Sequence, residues 1–257
     1  MDNHIVIESA KKMREIARTA LKGKWLAMFL GLMIYYIFMT VIPSVLDLFF
    51  SSVDQLELST GDIIEYNINY ASPVYEFLLG GPLMLGILMF FLAFFRKHTI
   101  DYALTFEGFS MFLKGFLLML MYSIRIFLWS LLFFIPGIIA AFRYSQAFYL
   151  RIDHPEWTTA QCLAASSRLM KGNKLKLFGL NLSFIGWYIL ALIPGLASEF
   201  FVGSDVVLLV ATIVLSIPVF FVDLYLMMTE TVFYEILVGN LIVHERSPFQ
   251  SFESQDL

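Results

Sequence analysis

Ionisable side chains inside apolar stretches mark where this chain could do chemistry, because a charge near the middle of a bilayer costs roughly 2.5 to 3.5 kcal/mol on insertion scales. Arg125 is the sharpest case. It lies about ten residues into the apolar run from Gly115 to Ile135, too deep for its side chain to reach either surface readily. Asp223, beyond Pro218 in the last apolar run, is its natural partner. The two read either as an ion pair pinning two helices or as part of a polar pathway. Arg143 and Asp47 form a second candidate pair, nearer the outer surface. Glu230 and Glu235 fall where the last span is expected to leave the membrane, with hydration the ordinary reading and proton relay the alternative. Templates for metal or nucleotide chemistry are missing. His4, His98, His154 and His244 stand singly, and His244-Glu245 lacks the second histidine of a zinc-protease helix. Gly80-Gly81 is followed by Pro82, not by the lysine and hydroxyl of a phosphate loop. The expectation is therefore no metal, no cofactor and no catalytic residue, which argues against an enzyme.

The elements that must hold these residues are membrane spans. Hydrophobic residues make up 59% of the chain and charged ones 15%, whereas about a quarter of positions are charged in soluble proteins. Three stretches share one design: Lys22-Gly23 leads to Pro43, Lys114-Gly115 to Pro136-Gly137, and Lys171-Gly172 to Pro194-Gly195. The lysine-to-proline separations are 21, 22 and 23 residues. Each intervening run is long enough to cross a hydrocarbon core of roughly 30 Å at about 1.5 Å per helical residue. The spacing predicts an all-α integral membrane bundle of six helices built from three repeated units, about 9–97, 100–153 and 156–238, with a polar tail at 239–257. Each unit is an interfacial amphipathic helix followed by a transmembrane hairpin, with Gly23, Gly115, Pro136, Gly137, Gly172 and Pro194 as hinges.

Charge sorting sets the orientation. No Lys or Arg lies between Trp25 and Phe95 or between Leu177 and His244, so those windows should hold the outer loops. The stretch Ser51 to Glu76 carries five acidic residues and no base, and Ile63 to Tyr70 alternates as a hairpin would. Both termini are then expected in the cytoplasm and the protein in the cell membrane. The bases collect on the opposite face: Lys11, Lys12, Arg14, Arg18 and Lys22 on the first amphipathic segment, and Lys171, Lys174 and Lys176 on the third, suited to an anionic lipid surface. Thr158 with Gln161 has the spacing of a capping box. Gly80, Gly81 and Gly86 offer a flat face for a neighbouring helix. The single Cys162 excludes an internal disulfide, and the polar N-terminal residues suggest no cleaved signal peptide.

Several motifs together carry a family resemblance: Gly81-Pro82-Leu83 with Gly86, Phe106-Glu107-Gly108-Phe109, and Leu128-Trp129-Ser130-Leu131-Leu132 with Ile135-Pro136-Gly137. They continue in Tyr144-Ser145, Phe148-Tyr149, Met170-Lys171-Gly172-Asn173-Lys174, Leu182 to Trp187, and Phe233-Tyr234. The chain resembles the bacterial polytopic membrane proteins grouped as domain of unknown function 975. It is more distantly similar to the membrane domain attached to some glycerophosphodiester phosphodiesterases. Val219 departs from the pattern after Pro218, where a tyrosine is expected. The resemblance implies a membrane fold and no established activity. Two function classes stand: a binding or accessory protein that engages membrane lipids, a small amphipathic ligand or a membrane protein partner, and a transporter or channel with a polar site near Arg125 and Asp223. No nucleic-acid partner is expected.

Overall fold

The computed structural model describes residues 4–57, 63–196 and 205–242. The acidic positions Asp62 and Glu199 and the tail beyond Ile242 lie outside the described residues. Apart from one two-stranded hairpin the described fold is all-α. Helix α1 (Ala10–Leu21) starts where the Ser9 hydroxyl accepts the Lys12 N–H at 3.2 Å. It ends before Gly23, whose φ of +75° is the left-handed conformation that lets the chain turn. Next come α2 (Trp25–Tyr36), a π-helical stretch over Ile37–Val41, and α3 (Ile42–Phe50). Pro43 has no N–H to give the turn before it, and the backbone widens just ahead of it. Strands β1 (Ser51–Glu57) and β2 (Ile63–Asn69) pair antiparallel, with Ser51 opposite Asn69.

The central helix is α4 (Ala71–Lys97), whose run from Gly80 to Leu88 is buried without a break except at Met84. Its glycines bring backbones together. A Cβ on Gly81 would lie 2.2 Å from the Gly115 carbonyl oxygen, and one on Gly86 would lie 1.9 Å from that of Thr105. Thus α4 packs without intervening side chains on α5 (Leu104–Glu107) and α6 (Phe112–Leu132). Gly115, expected as a hinge, is instead inside α6, because its smallness serves this contact.

After α6 the chain reverses at Phe133, which is extended, and returns as α7 (Phe134–Tyr144) and α8 (Ala147–Asp153). The turn precedes Pro136-Gly137, and both of these sit in the first turns of α7. Helix α9 (Thr159–Leu169) opens with the reciprocal Thr158–Gln161 capping box. Gly172, at φ +89°, then turns the chain into α10 (Lys174–Leu182) and α11 (Ile185–Leu196), the latter containing Pro194. The last helix, α12 (Asp205–Leu237), continues unbroken through Glu230 and Glu235, where the span was expected to leave the membrane.

Among the described residues, five stretches are long and apolar enough to cross a membrane: Trp25–Asp47, Ala71–Lys97, Leu104–Leu132, Lys174–Pro194 and Leu215–Leu237. A sixth was expected as the return half of the hairpin in the unit 100–153, after Pro136-Gly137. That segment is broken at Ser145-Gln146, and α7, with 11 residues, is too short to span alone. The break has a cause. The Ser166 hydroxyl from α9 donates to the Arg143 carbonyl at 3.0 Å and accepts the Gln146 N–H at 3.2 Å, entering the helical ladder.

Candidate functional site

Seven helices, α2, α4, α6, α7, α8, α10 and α12, line one cavity of about 500 Å³, within the size range of small-molecule sites. Its wall is mostly apolar, with Met84, Leu88, Met119, Phe142, Phe148, Leu177 and Met227. The polar minority is Glu230, Asn181, Gln146 and Ser145 together with Tyr35, Tyr36, Tyr122 and Tyr149. Each is positioned by the fold. Gln146 stands at the break between α7 and α8, is buried, and donates its Nε2 to the Ser145 hydroxyl at 2.9 Å. Its Oε1 and the Asn181 Oδ1 are buried without a partner. Asn181 lines the same cavity as the Glu230 carboxyl. Glu230 lies in the run Thr229-Glu230-Thr231, where both threonine hydroxyls donate to their own helix, to the Tyr225 and Met227 carbonyls at 2.7 and 2.9 Å. The polar run therefore stays helical, with Thr229 and Thr231 buried and Glu230 half-buried against the cavity instead of on a hydrated surface. The tyrosines are braced as well: Tyr122 meets Phe148 edge to face and Tyr149 stacks on Tyr234.

Beside the cavity, Asp223 accepts hydrogen bonds from the hydroxyls of Tyr36 at 2.6 Å and Tyr188 at 2.5 Å. The guanidinium of Arg125 lies 5.3 Å from the centre of the Tyr144 ring. Arg143 lies 5.5 Å from the same ring and donates to the Ser167 hydroxyl at 2.6 Å. Asp47 takes the Ala71 and Ser72 N–H groups at 3.1 and 3.0 Å and the Ser72 hydroxyl, so it caps the start of α4. The expected pairs Arg125–Asp223 and Arg143–Asp47 are therefore not formed. Each acid is occupied by uncharged donors, and both arginines lie against one aromatic ring, that of Tyr144.

A separate polar cluster closes the far end of α4. Arg96 pairs with Asp153 and with Glu235, each at 2.6 Å, while Tyr234 donates to Asp153 at 2.7 Å. Glu235 is buried in this network. Burial by itself would raise the Asp153 carboxyl, but hydrogen bonds from Arg96 and Tyr234 and the Arg96 charge hold it below its ordinary value.

The basic residues divide. The apolar face of α1, Met13, Ala17 and Leu21, is buried, and α1 packs on α12 and α10, so it is not left for lipid. Arg14 donates to the Ser183 carbonyl, Arg18 to the Tyr225 hydroxyl and Lys176 to the Ile7 carbonyl. Lys12 pairs with Glu15, and Lys171 is also engaged. Lys11 and Lys22 are exposed, and Lys174 borders a groove with Trp129, Pro136 and Arg143. One residue gives no hint of its role in the sequence. Buried Asn173 accepts the Val6 N–H at 2.9 Å and donates to the His4 and Leu169 carbonyls, each at 2.8 Å, which ties the N-terminal segment to the turn before α10.

The same turn, Met170 to Lys174, is among the motifs of the family resemblance. A family model described as "Protein of unknown function (DUF975)" matches residues 5–140 and 131–240. The chain belongs to this family. Membership extends over both arms of the cavity, from Tyr35 to Glu230. The family description carries no activity, and the more distant likeness to the phosphodiesterase membrane domain rests on the sequence motifs alone. No curated protein and no solved structure matches the chain.

Proposed function

We propose that this member of the family is a multi-pass protein of the bacterial cell membrane that binds a lipid or another small amphiphile without transforming it. The observation that carries this reading is the cavity: a largely apolar chamber with a carboxyl group and two unpartnered amide oxygens inside a bundle of apolar helices. An amphiphile suits such a lining because its chain covers apolar wall while its head meets the few polar groups. The sorting of Lys and Arg supports cytoplasmic termini, and the exposed Lys11 and Lys22 suit contact with anionic headgroups. A transport site at Arg125 and Asp223 has less support, since Arg125 lies on Tyr144 and Asp223 is held by two tyrosines.

Native mass spectrometry of the protein released from mild detergent tests the reading. The wild type should retain a molecule of defined mass, unchanged after prolonged incubation. Ala141 of α7 also lines the cavity, so Ala141→Phe, which places a ring in it, should lose the molecule, while Lys11→Gln should keep it. A bare wild type, or an equal load in Ala141→Phe, would overturn the cavity as the binding site.

A further inference from the structure

We infer that the cavity selects an amphiphile whose head is a primary ammonium cation, a conclusion that rests on the cavity-binding reading above. Glu230 is the one side chain of the described lining with an acidic or basic group other than phenol, and no Lys, Arg or His faces it there. The buried unpartnered atoms that belong to this lining are both of one kind. Gln146 is 2% exposed and its Oε1 has no partner, and the Asn181 Oδ1 is likewise buried and unpartnered. Both are acceptors in search of a donor, and a buried acceptor without one is costly.

An ammonium head supplies three N–H donors and one positive charge, the complement of a lining that offers a carboxyl group and amide oxygens but no basic side chain. An anionic head would bring further acceptors to an acceptor-rich wall, and an alcohol head would bring a single donor. The rings of Tyr122 and Tyr149 line the same cavity, and aromatic faces attract a cation through their quadrupole.

The test uses the full chain in lipid nanodiscs with three probes of equal chain length, dodecylammonium, dodecanol and dodecyl sulfate, and reads retention by native mass spectrometry. Dodecylammonium should be held about tenfold or more better than dodecanol, a difference of the size expected for charge-assisted hydrogen bonds, and dodecyl sulfate least. Glu230→Gln should remove that preference while dodecanol retention persists. Gln146→Leu provides a second route should Glu230→Gln fail to fold, because it deletes an unpartnered acceptor and should lower the ammonium-to-alcohol ratio. Equal retention of the three probes, preference for the sulfate, or an unchanged ratio in both variants would overturn the ammonium assignment and leave the cavity standing. Retention of none of the probes would instead overturn the cavity reading itself.

Discussion

Asp223 of α12 is clasped by the hydroxyls of Tyr36 of α2 and Tyr188 of α11, at 2.6 and 2.5 Å. The three groups join the first apolar stretch to the last two without any opposing charge. A hydrogen bond to a charged acceptor contributes about 1.5 to 3 kcal/mol. Tyr36→Phe and Tyr188→Phe should therefore each lower unfolding stability in detergent by about that much. Arg125 lies on another ring, so Arg125→Gln combined with Asp223→Asn should give the sum of the single effects within about 0.5 kcal/mol. A larger coupling energy in that double-mutant cycle would restore the ion pair.

The same residues explain what could be read from the sequence and what could not. That Asp223 needs a partner was legible, because an acid amid apolar residues is conspicuous. Its partners were not: a search for charge finds Arg125, whereas Tyr188 looks like an ordinary interfacial anchor, and only the fold brings α2 and α11 to the same point. Glu230 was misplaced for a related reason. The last span was expected to leave the membrane there, yet threonine hydroxyls that bond their own helix let a polar run stay inside. The glycine face of α4 and the cap at Thr158 depend on local spacing and were legible. The break at Ser145-Gln146 depends on Ser166, twenty residues along, and nothing local announces it.

The glycines of α4 and α6 should respond in opposite senses to those of α10. Gly81→Ala drives a methyl to 2.2 Å from the Gly115 carbonyl oxygen, a backbone atom that cannot rotate away. It should separate the helices and lower stability by at least the roughly 1 to 3 kcal/mol typical of overpacking. Around Gly179, within α10, a Cβ meets nothing within 4 Å. Gly179→Ala should raise stability by about 0.5 to 1 kcal/mol, because it removes backbone freedom from the unfolded chain. Thermal midpoints in one detergent would compare the two.

Asp153 makes stability depend on acidity. Its folded value is depressed by Arg96 and Tyr234, so its contribution is fully present above the unfolded value of about 3.9 and is lost as the pH falls through the lower folded value. The stability difference between wild type and Asp153→Asn should be constant from neutrality to about pH 5 and shrink below about pH 4. Arg96→Met should cost more at neutral pH, about 3 kcal/mol or above, because it strands the buried Glu235 carboxylate. A difference that widens with acid would contradict the network as described.

The turn between α6 and α7 offers the decisive test of orientation. If Lys114 and Arg151 both face the cytoplasm, as the charge sorting requires, the reversal at Phe133 must lie on the outer side. Gly137 is a poor place for a label, since a Cβ there would meet the Ser130 hydroxyl at 2.1 Å. Phe134 is 78% exposed and tolerates a thiol far better. The native Cys162 should stay silent, because it is buried and burial pushes its thiol up, away from the reactive thiolate. Phe134→Cys in intact cells should then react with an impermeant maleimide added outside, whereas Lys11→Cys should react only after the cells are opened. Labelling of Phe134→Cys from the cytoplasmic side alone would reverse the hairpin and place α7 and α8 on the inner face without a crossing.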